Sequence, residues 1–227
     1  MATPSARLRE LASEQLQEEP LPVLPPLSDL LPGGGLRRGY VIAVEQSGLL
    51  CMTLAAGASA AGAWCAAVGM PELGVLAAAD VGVDVDRLLL VPDPGPRWPQ
   101  VVAALLEGCE LVLLRPPARP SAQVARRLAA HARRSRGAIV VAGTWAGANL
   151  WLRLARSQWV GAGAGHGRIK GRRALVVVGG RGAGARQRAQ WWWLPGPNGA
   201  AEVAEQDVAE QAAVGPELTE LTASGQG

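Results

Sequence analysis

The turn after the first predicted strand has the position of a phosphate-binding loop but not its residues. The segment GYVIAVEQSGLLCMTLAAG, residues 39–57, predicts a strand, a short turn and a helix. A working P-loop has the form G-x-x-x-x-G-K-[ST], in which backbone amides hold the phosphates, the lysine neutralises their charge and the hydroxyl binds Mg²⁺. The turn in this chain is a degenerate version that consists of Glu45, Gln46, Ser47, Gly48, Leu49 and Leu50.

No alignment to the motif restores its lysine. One register places Leu49 and Leu50 at the lysine and hydroxyl positions, and a gapless register from Gly39 places Met52 and Thr53 there. The single lysine of the chain lies far downstream. The sequence therefore predicts a strand-turn-helix unit without the cation that triphosphate chemistry requires.

The strand that would hold the magnesium ion also lacks its ligand. In P-loop proteins an aspartate follows this apolar strand, whereas ELVLL at 110–114 is followed by Arg115. A guanidinium at that position repels the cation that a carboxylate would bind. Two separate losses predict that the protein is not an enzyme and that it has no nucleotide cofactor and no metal ion.

Other residues with chemical potential do not form a catalytic or metal-binding pattern. Cys51, Cys65 and Cys109 lie in apolar stretches without paired spacing, so they are expected to be reduced core residues. His131 and His166 have no cysteine or acid at ligand spacing. These residues predict neither a zinc site nor a nucleophile with its base.

Short apolar runs alternate with helix-length segments from residue 40 onward. The runs are YVIAV (40–44), AWCAAV (63–68), RLLLV (87–91), ELVLL (110–114), AIVVA (138–142) and ALVVV (174–178). Near-continuous apolar strands separated by helices are typical of a parallel sheet that is covered on both faces. The predicted fold is α/β, with a mostly parallel sheet, helices on both faces and antiparallel strands late in the chain.

Three helices are well marked between these strands. The segment 49–62 is apolar all round, which favours a helix buried in the core. The segment 98–108 has Pro99 in its first turn and a glycine at its end. The segment 121–137 carries an apolar stripe opposite four arginines, for which a solvated outer face is the simplest interpretation: Arg126, Arg127, Arg133 and Arg134.

Composition changes along the chain predict its organisation. We expect an amphipathic N-terminal helix at 1–19, a Pro/Gly-rich linker at 20–35, a core at 36–198 and an acidic, flexible tail at 199–227. The N-terminal helix is expected either to pack on its own domain or to mediate self-association. The sequence contains no long uninterrupted apolar segment and no signal pattern, so we expect a cytoplasmic location without membrane contact.

Charge is distributed unevenly along the chain. The net charge is +3, yet residues 111–201 contain no Asp or Glu while they carry 15 arginines and a lysine. The stretch 202–220 holds six acids and no base. A long block of one sign indicates either an anionic partner or a surface that faces an acidic protein patch.

Several segments resemble the RecA-like core. GGGLRRGYVIAVEQSG is similar to the segment that leads into the P-loop strand of that family, and AAGAWCAAVGMPELG is similar to its second strand. In that family a catalytic glutamate follows the second strand, and Glu72 is the nearest match. GVDVDRLLLVPDPG is the most specific match, and the resemblance covers roughly residues 30–145.

Within the RecA-like proteins the chain more closely resembles the ImuA group, in its ImuA-prime form, whose nucleotide sites are degenerate. LVLLRPP and GRIKGRRALVVVGGRGAGARQRAQWWWLPGP carry this resemblance. It implies an accessory role in SOS-induced translesion synthesis and mutagenesis. The implied partner is ImuB, a Y-family-like polymerase homologue, and through it an error-prone replicative-type polymerase and the sliding clamp.

Two other functions stay open at this point. One is a RecA paralogue that binds single-stranded DNA directly through its basic half. The other is a residual DNA-dependent ATPase that takes its missing cation from a neighbouring subunit.

The glycine-rich segment GAGAGHGRIKGRR, residues 161–173, ends in several bases. It is either a flexible loop or a contact for nucleic acid or another polyanion. The following GGRGAGA at 179–185 matches G-x-G-x-x-A, but no strand ending in an acid follows, so a hairpin turn between two late strands is the better interpretation. The candidate polyanion contacts are Arg168, Lys170, Arg172, Arg173, Arg181 and Arg186.

Three consecutive tryptophans follow this basic region. On a strand, Trp191, Trp192 and Trp193 point alternately to opposite faces of the sheet. Either other parts of the chain cover both faces, or an exposed indole anchors a partner or stacks on bases. We predict a partner-binding role, because the ImuA resemblance suggests that ImuB docks on this late region.

Overall fold

The structure is a computed structural model that describes residues 19–45, 48–161, 168–183 and 187–204. The helix predicted at 1–19 and most of the predicted tail fall outside these residues. The strands are β1 Leu21–Pro22, β2 Gly35–Leu36, β3 Val41–Val44, β4 Cys65–Val68, β5 Leu88–Val91, β6 Leu111–Leu114, β7 Ala138–Ala142, β8 Leu150–Val160, β9 Gly171–Gly179, β10 Arg188–Trp193 and β11 Glu202–Val203. The helices are α1 Pro25–Leu30, α2 Gly48–Ala60, α3 Val75–Asp80, α4 Trp98–Leu105 and α5 Ala122–Ser135.

A single large sheet organises the described part of the chain, with the strand order β11-β10-β9-β8-β3-β7-β6-β4-β5. The six strands from β8 to β5 are parallel, and β9, β10 and β11 continue the sheet in antiparallel fashion. β3, β4 and β6 are buried along their whole length, as the apolar runs predict. The predicted α/β class with late antiparallel strands is confirmed.

Helices cover both faces of the parallel half. α2 packs on one face together with β1 and α1, and it is buried on nearly all sides because these elements surround it. α4 and α5 pack on the other face, where Val102 and Leu128 contact β6 and β7. Ser121 caps α5 by accepting a hydrogen bond from the amide of Val124, and the four α5 arginines named above are exposed.

The prediction of a linker at 20–35 is wrong. β1 pairs with β2, α1 lies between them, and Leu21, Leu27 and Leu30 are buried in the core. The prolines do not prevent a helix here, because two of them occupy the first turn, whose amides need no intrahelical acceptor. The leucines are the reason that this segment packs on the core, since their apolar side chains lie against α2.

Two further boundaries differ from the sequence prediction. The predicted flexible tail begins at 199, yet β11 pairs with β10, and Ala201 and Ala204 are buried. The long strand β8 has no counterpart among the predicted strands, because its arginines and polar residues interrupt the apolar pattern. The predicted hairpin turn between late strands is confirmed, with β9 and β10 as its arms.

Replacing Gly57 tests the close packing of the 20–35 segment. A Cβ at Gly57 of α2 would lie against the backbone of Val23, so the helix and this segment would have to separate. We expect Gly57→Ala to lower the free energy of unfolding by about 1–3 kcal/mol, although alanine favours helix formation. Urea denaturation measures this, with Gly108→Ala as the control because no atom lies near a Cβ there. A Gly57→Ala chain that is as stable as the original would contradict the packing.

Candidate functional site

The turn that the sequence predicts to be a degenerate nucleotide-binding loop lies where three strands end at the same edge of the sheet. Glu45 follows β3, Gly69 follows β4 and Arg115 follows β6. The amide of Arg115 donates to the carbonyl of Val68 at 2.9 Å, which extends the β4–β6 ladder past both strands. Nη2 of Arg115 lies 3.8 Å from the point where a Cβ on Gly48 would be. The guanidinium is therefore held beside the first residue of α2.

An ion pair occupies the positions at which the RecA-like resemblance expects catalytic groups. Nη1 of Arg115 donates to Oε1 of Glu72, and both side chains are partly exposed. By the resemblance, Arg115 replaces the magnesium-binding aspartate and Glu72 is the nearest match to the catalytic glutamate. A metal cation at this place would meet the positive charge of the guanidinium.

The first turns of α2 supply no replacement for the lost lysine and hydroxyl. Oγ1 of Thr53 donates to the carbonyl of Leu49 at 2.8 Å, and this side chain is completely buried. Leu50 and Met52 are buried in the same helix. Gln46 and Ser47 lie outside the described residues. The described residues of the turn and of α2 therefore supply no cationic group, and the guanidinium beside them is that of Arg115.

A cleft of about 470 Å³ opens beside this turn, on the face of the sheet that carries α4 and α5. Arg119 and Arg181 bring positive charge to it, and Trp145 and Trp151 bring indole surface. Such a combination can hold an anionic group next to a flat aromatic one. The lining also includes Glu45, Thr144, Gly147 and Gly180.

Sequence reasoning found Arg181 and Glu45 but missed Arg119, Trp145 and Trp151. Arg119 follows β6, Trp145 follows β7 and Trp151 lies on β8, so they are far apart in sequence. These residues could have been found from the rule that ligands bind outside the carboxyl ends of parallel strands, because that rule points to the residues that follow each strand. β8 was not predicted, so its neighbourhood could not be assigned.

The predicted polyanion contact does not form a single cluster. Arg168 and Lys170 are exposed before β9, but Arg172 and Arg173 point to opposite faces of this strand. Nε of Arg172 donates to the carbonyl of Leu194 at 2.8 Å, and its guanidinium lies 5.6 Å from the ring centre of Trp159. Partial burial lowers the pKa of Arg172. Arg181 lies at the cleft, and Arg186 falls outside the described residues.

The predicted partner-binding tryptophans are mostly core residues, so that prediction is wrong for two of them. Trp192 is 0% exposed and packs on the side of α1, and Trp191 is 5% exposed on the opposite face. Trp193 is half-buried. Residues on both sides of the strand cover them, because the 20–35 segment and the chain up to Ala204 pack where the sequence predicted a linker and a tail.

Other chemistry is limited by burial. The described ranges contain no group of three or more His, Cys, Asp and Glu residues placed to hold a metal ion. Burial raises the pKa of Cys51 and of Cys65 to about 12 and also raises that of Cys109, so few thiolates form at neutral pH. In the same ranges no helix is long and apolar enough to cross a membrane.

The sequence is related to one known family. A family model described as MT3502 N-terminal domain matches residues 29–147. The chain belongs to this family. The uncharacterized protein Rv3395c of Mycobacterium tuberculosis is 34% identical over 128 residues, which are 55% of this chain and 63% of that protein. The match therefore spans less than two thirds of the relative's length.

The fold is also found in a solved structure. The crystal structure of the flagellar accessory protein FlaH from Methanocaldococcus jannaschii matches with a TM-score of 0.50 and 13% identity. The match covers 76% of this chain and 93% of that one. The likeness shows that the fold of this chain is RecA-like, which confirms the predicted fold class and the coarser part of the resemblance.

The ion pair between Arg115 and Glu72 should be weak and sensitive to salt. Both groups are substantially exposed, so we expect a coupling free energy of about 0.2–1 kcal/mol at low salt. A double-mutant cycle with Glu72→Gln and Arg115→Gln, followed by urea unfolding in 50 mM and 1 M NaCl, measures it. A coupling that is absent at low salt, or that does not weaken at high salt, would contradict the described contact.

Proposed function

We propose that the chain is a catalytically inactive RecA-like accessory protein that acts by binding a partner. One observation carries this proposal: the guanidinium of Arg115, paired with Glu72, lies where hydrolysis would need a magnesium anchor and a free carboxylate. No lysine exists to replace the missing cation of the turn, since the only one lies at 170. A nucleoside triphosphate bound here would lack both the lysine and the magnesium ion that usually neutralise its phosphates.

The resemblance to the ImuA group supports a more specific role. We infer that the protein serves in SOS-induced translesion synthesis and mutagenesis as the partner of an ImuB-type, Y-family-like polymerase homologue. Through that homologue it would work with an error-prone replicative-type polymerase and the sliding clamp. The supporting residues are the degenerate turn, LVLLRPP and the late basic region.

An open edge of the sheet is a suitable surface for such a partner. β5 is the outermost strand on its side, and its Leu89 and Leu90 are 41% and 44% exposed. Successive residues of a strand face opposite sides, so apolar side chains are available on both faces of this edge. An edge strand of this kind accepts an added strand through its backbone, while flanking side chains provide specificity.

The partner proposal predicts co-purification without ATP turnover. We expect the full chain to retain an ImuB-type polymerase homologue on affinity resin, and the variant Leu89→Glu with Leu90→Glu to lose it because charge opposes apolar burial. Leu76→Glu is the matched control, since Leu76 is 81% exposed on α3 and lies outside both β5 and the late basic region. Phosphate release should stay at background with and without DNA.

One result would contradict the docking edge and another would contradict the function. Retention that survives both leucine substitutions would remove β5 as the docking edge. ATP turnover by the pure chain that is abolished by Glu72→Gln would instead favour a residual ATPase, completed by a neighbouring subunit.

The cleft favours single-stranded DNA binding as a second candidate function. Guanidinium groups from Arg119 and Arg181 suit phosphates, and the half-buried indole of Trp151 offers surface on which a base can stack. The absence of acidic residues from 111 to 201 adds a favourable long-range field.

Salt dependence tests the DNA candidate. We expect labelled dT20 to bind the full chain more weakly as salt rises, with a log-log slope that falls by about 0.7 for each phosphate contact removed. Arg119→Gln with Arg181→Gln should flatten the slope in fluorescence anisotropy. Arg126→Gln with Arg127→Gln, on the exposed side of α5, is the control for equal loss of charge. Equal slopes for both double variants would contradict binding in the cleft.

A further inference from the structure

One face of the antiparallel half of the sheet combines arginines with tryptophans. Directly opposite residues of antiparallel strands share a face, and the register pairs Arg153 with Val177, Arg156 with Leu175 and Arg173 with Trp193. Leu175 and Val177 belong to a small apolar cluster with Trp191, so all three arginines lie on its face. We call it the arginine–tryptophan face; its residues are Trp151, Arg153, Arg156, Arg173, Trp191 and Trp193.

No helical residue belongs to the described cluster on this face. Its members come from β8, β9 and β10, together with Ala204. On the same side of the sheet, α4 and α5 cover the parallel strands. The arginine–tryptophan face therefore keeps partly accessible apolar surface, including half-buried Trp151 and Trp193.

The face is also strongly positive. The guanidinium of Arg153 lies 5.0 Å from the ring centre of Trp151, and that of Arg173 lies 5.5 Å from the ring centre of Trp191. Contact with an indole does not cancel the charge of an arginine. Among the described residues of β8 to β11 the only acid is Glu202, so positive charge is in excess.

The described chain ends on this same face. The amide of Ala204 donates to the carbonyl of Trp191 at 2.9 Å, and Ala204 is buried against the cluster. The 23 residues that follow, 205–227, carry five acids and no base, and three of these acids come within the first six positions: Glu205, Asp207 and Glu210.

The distances permit contact between these acids and the arginines. β9 and β8 lie about 5 and 10 Å from β10, as neighbouring strands of a sheet do. Four extended residues span about 13 Å, so the first six residues after Ala204 can reach both strands. Opposite charge, the position of Ala204 and the half-buried indoles of Trp151 and Trp193 all indicate one occupant.

We propose that residues 205–213 of the same chain dock on the arginine–tryptophan face. Their carboxylates pair with Arg153, Arg156 and Arg173, and Val208 covers part of the indole surface. An acidic partner or a nucleic acid would have to displace this segment before using the face. The inference does not depend on the identity of the partner protein.

Arginine footprinting on the full chain tests the proposal. Phenylglyoxal modification of each arginine is followed by mass spectrometry in the original chain and in a variant with Glu205→Gln, Asp207→Asn, Glu210→Gln, Glu217→Gln and Glu220→Gln. We expect Arg153, Arg156 and Arg173 to react about tenfold faster in the variant, a ratio that corresponds to about 1.4 kcal/mol of docking free energy. Three exposed ion pairs can supply that amount together.

The matched control is the exposed side of α5, where Arg126 and Arg127 should react equally in both chains. In 1 M NaCl the difference in reactivity on the arginine–tryptophan face should disappear, because the Debye screening length falls to about 3 Å. Unchanged reactivity of the three arginines would overturn the proposal. A change at the α5 arginines instead would also overturn it, since the segment would then lie elsewhere.

A chemical cross-link gives an independent measurement. Arg156→Lys keeps the charge and adds an amine, which a carbodiimide joins to a carboxylate in direct contact. We expect a cross-link to Glu205, Asp207 or Glu210 within one chain, and none for the control Arg126→Lys. Cross-links found only between two chains would overturn docking within the chain and assign the face to a second copy.

Discussion

Burial of both faces of the parallel strands is the constraint on which the rest of this structure depends. β3, β4 and β6 have no solvent-facing side, so α2 must cover one face while α4 and α5 cover the other. This arrangement fixes the order and register of the strands. It also brings the residues that follow each strand to one edge, where the degenerate turn, Arg115 and the cleft lie close together.

The charges at that edge differ from those that triphosphate chemistry requires. A triphosphate site needs cations around a strongly negative ligand. Here the cation comes from Arg115, but the carboxylate of Glu72 already pairs with it. The fold preserves the shape of the site because the core requires α2 and β3 in their places, whereas the chemistry of the turn is not needed for packing.

The antiparallel half extends the sheet in a different chemical environment. Its outer strands carry arginines next to indoles, and among the described residues no helix covers one of its faces. Acidic residues are missing from 111 to 201 and reappear after β10, where the chain returns to this face. The proposed docking of residues 205–213 would therefore bring together segments of opposite charge that are separate in sequence.

The sequence by itself determined the α/β class, the positions of six strands and the buried character of α2. It also determined that the first strand-turn-helix unit has no lysine and that no aspartate directly follows β6. Each of these depends on local pattern or on residue identity alone. Only the tertiary structure decided that residues 20–35 pack on the core and that Trp191 and Trp192 are buried. It also decided that the side chains of Arg172 and Arg173 lie on opposite faces of the sheet. It also decided that Arg115 meets Glu72 and that Arg119 and Arg181 share a cleft with two indoles. The physical reason is that burial and pairing depend on which elements lie against each other, and residues far apart in the chain become neighbours only when the sheet forms.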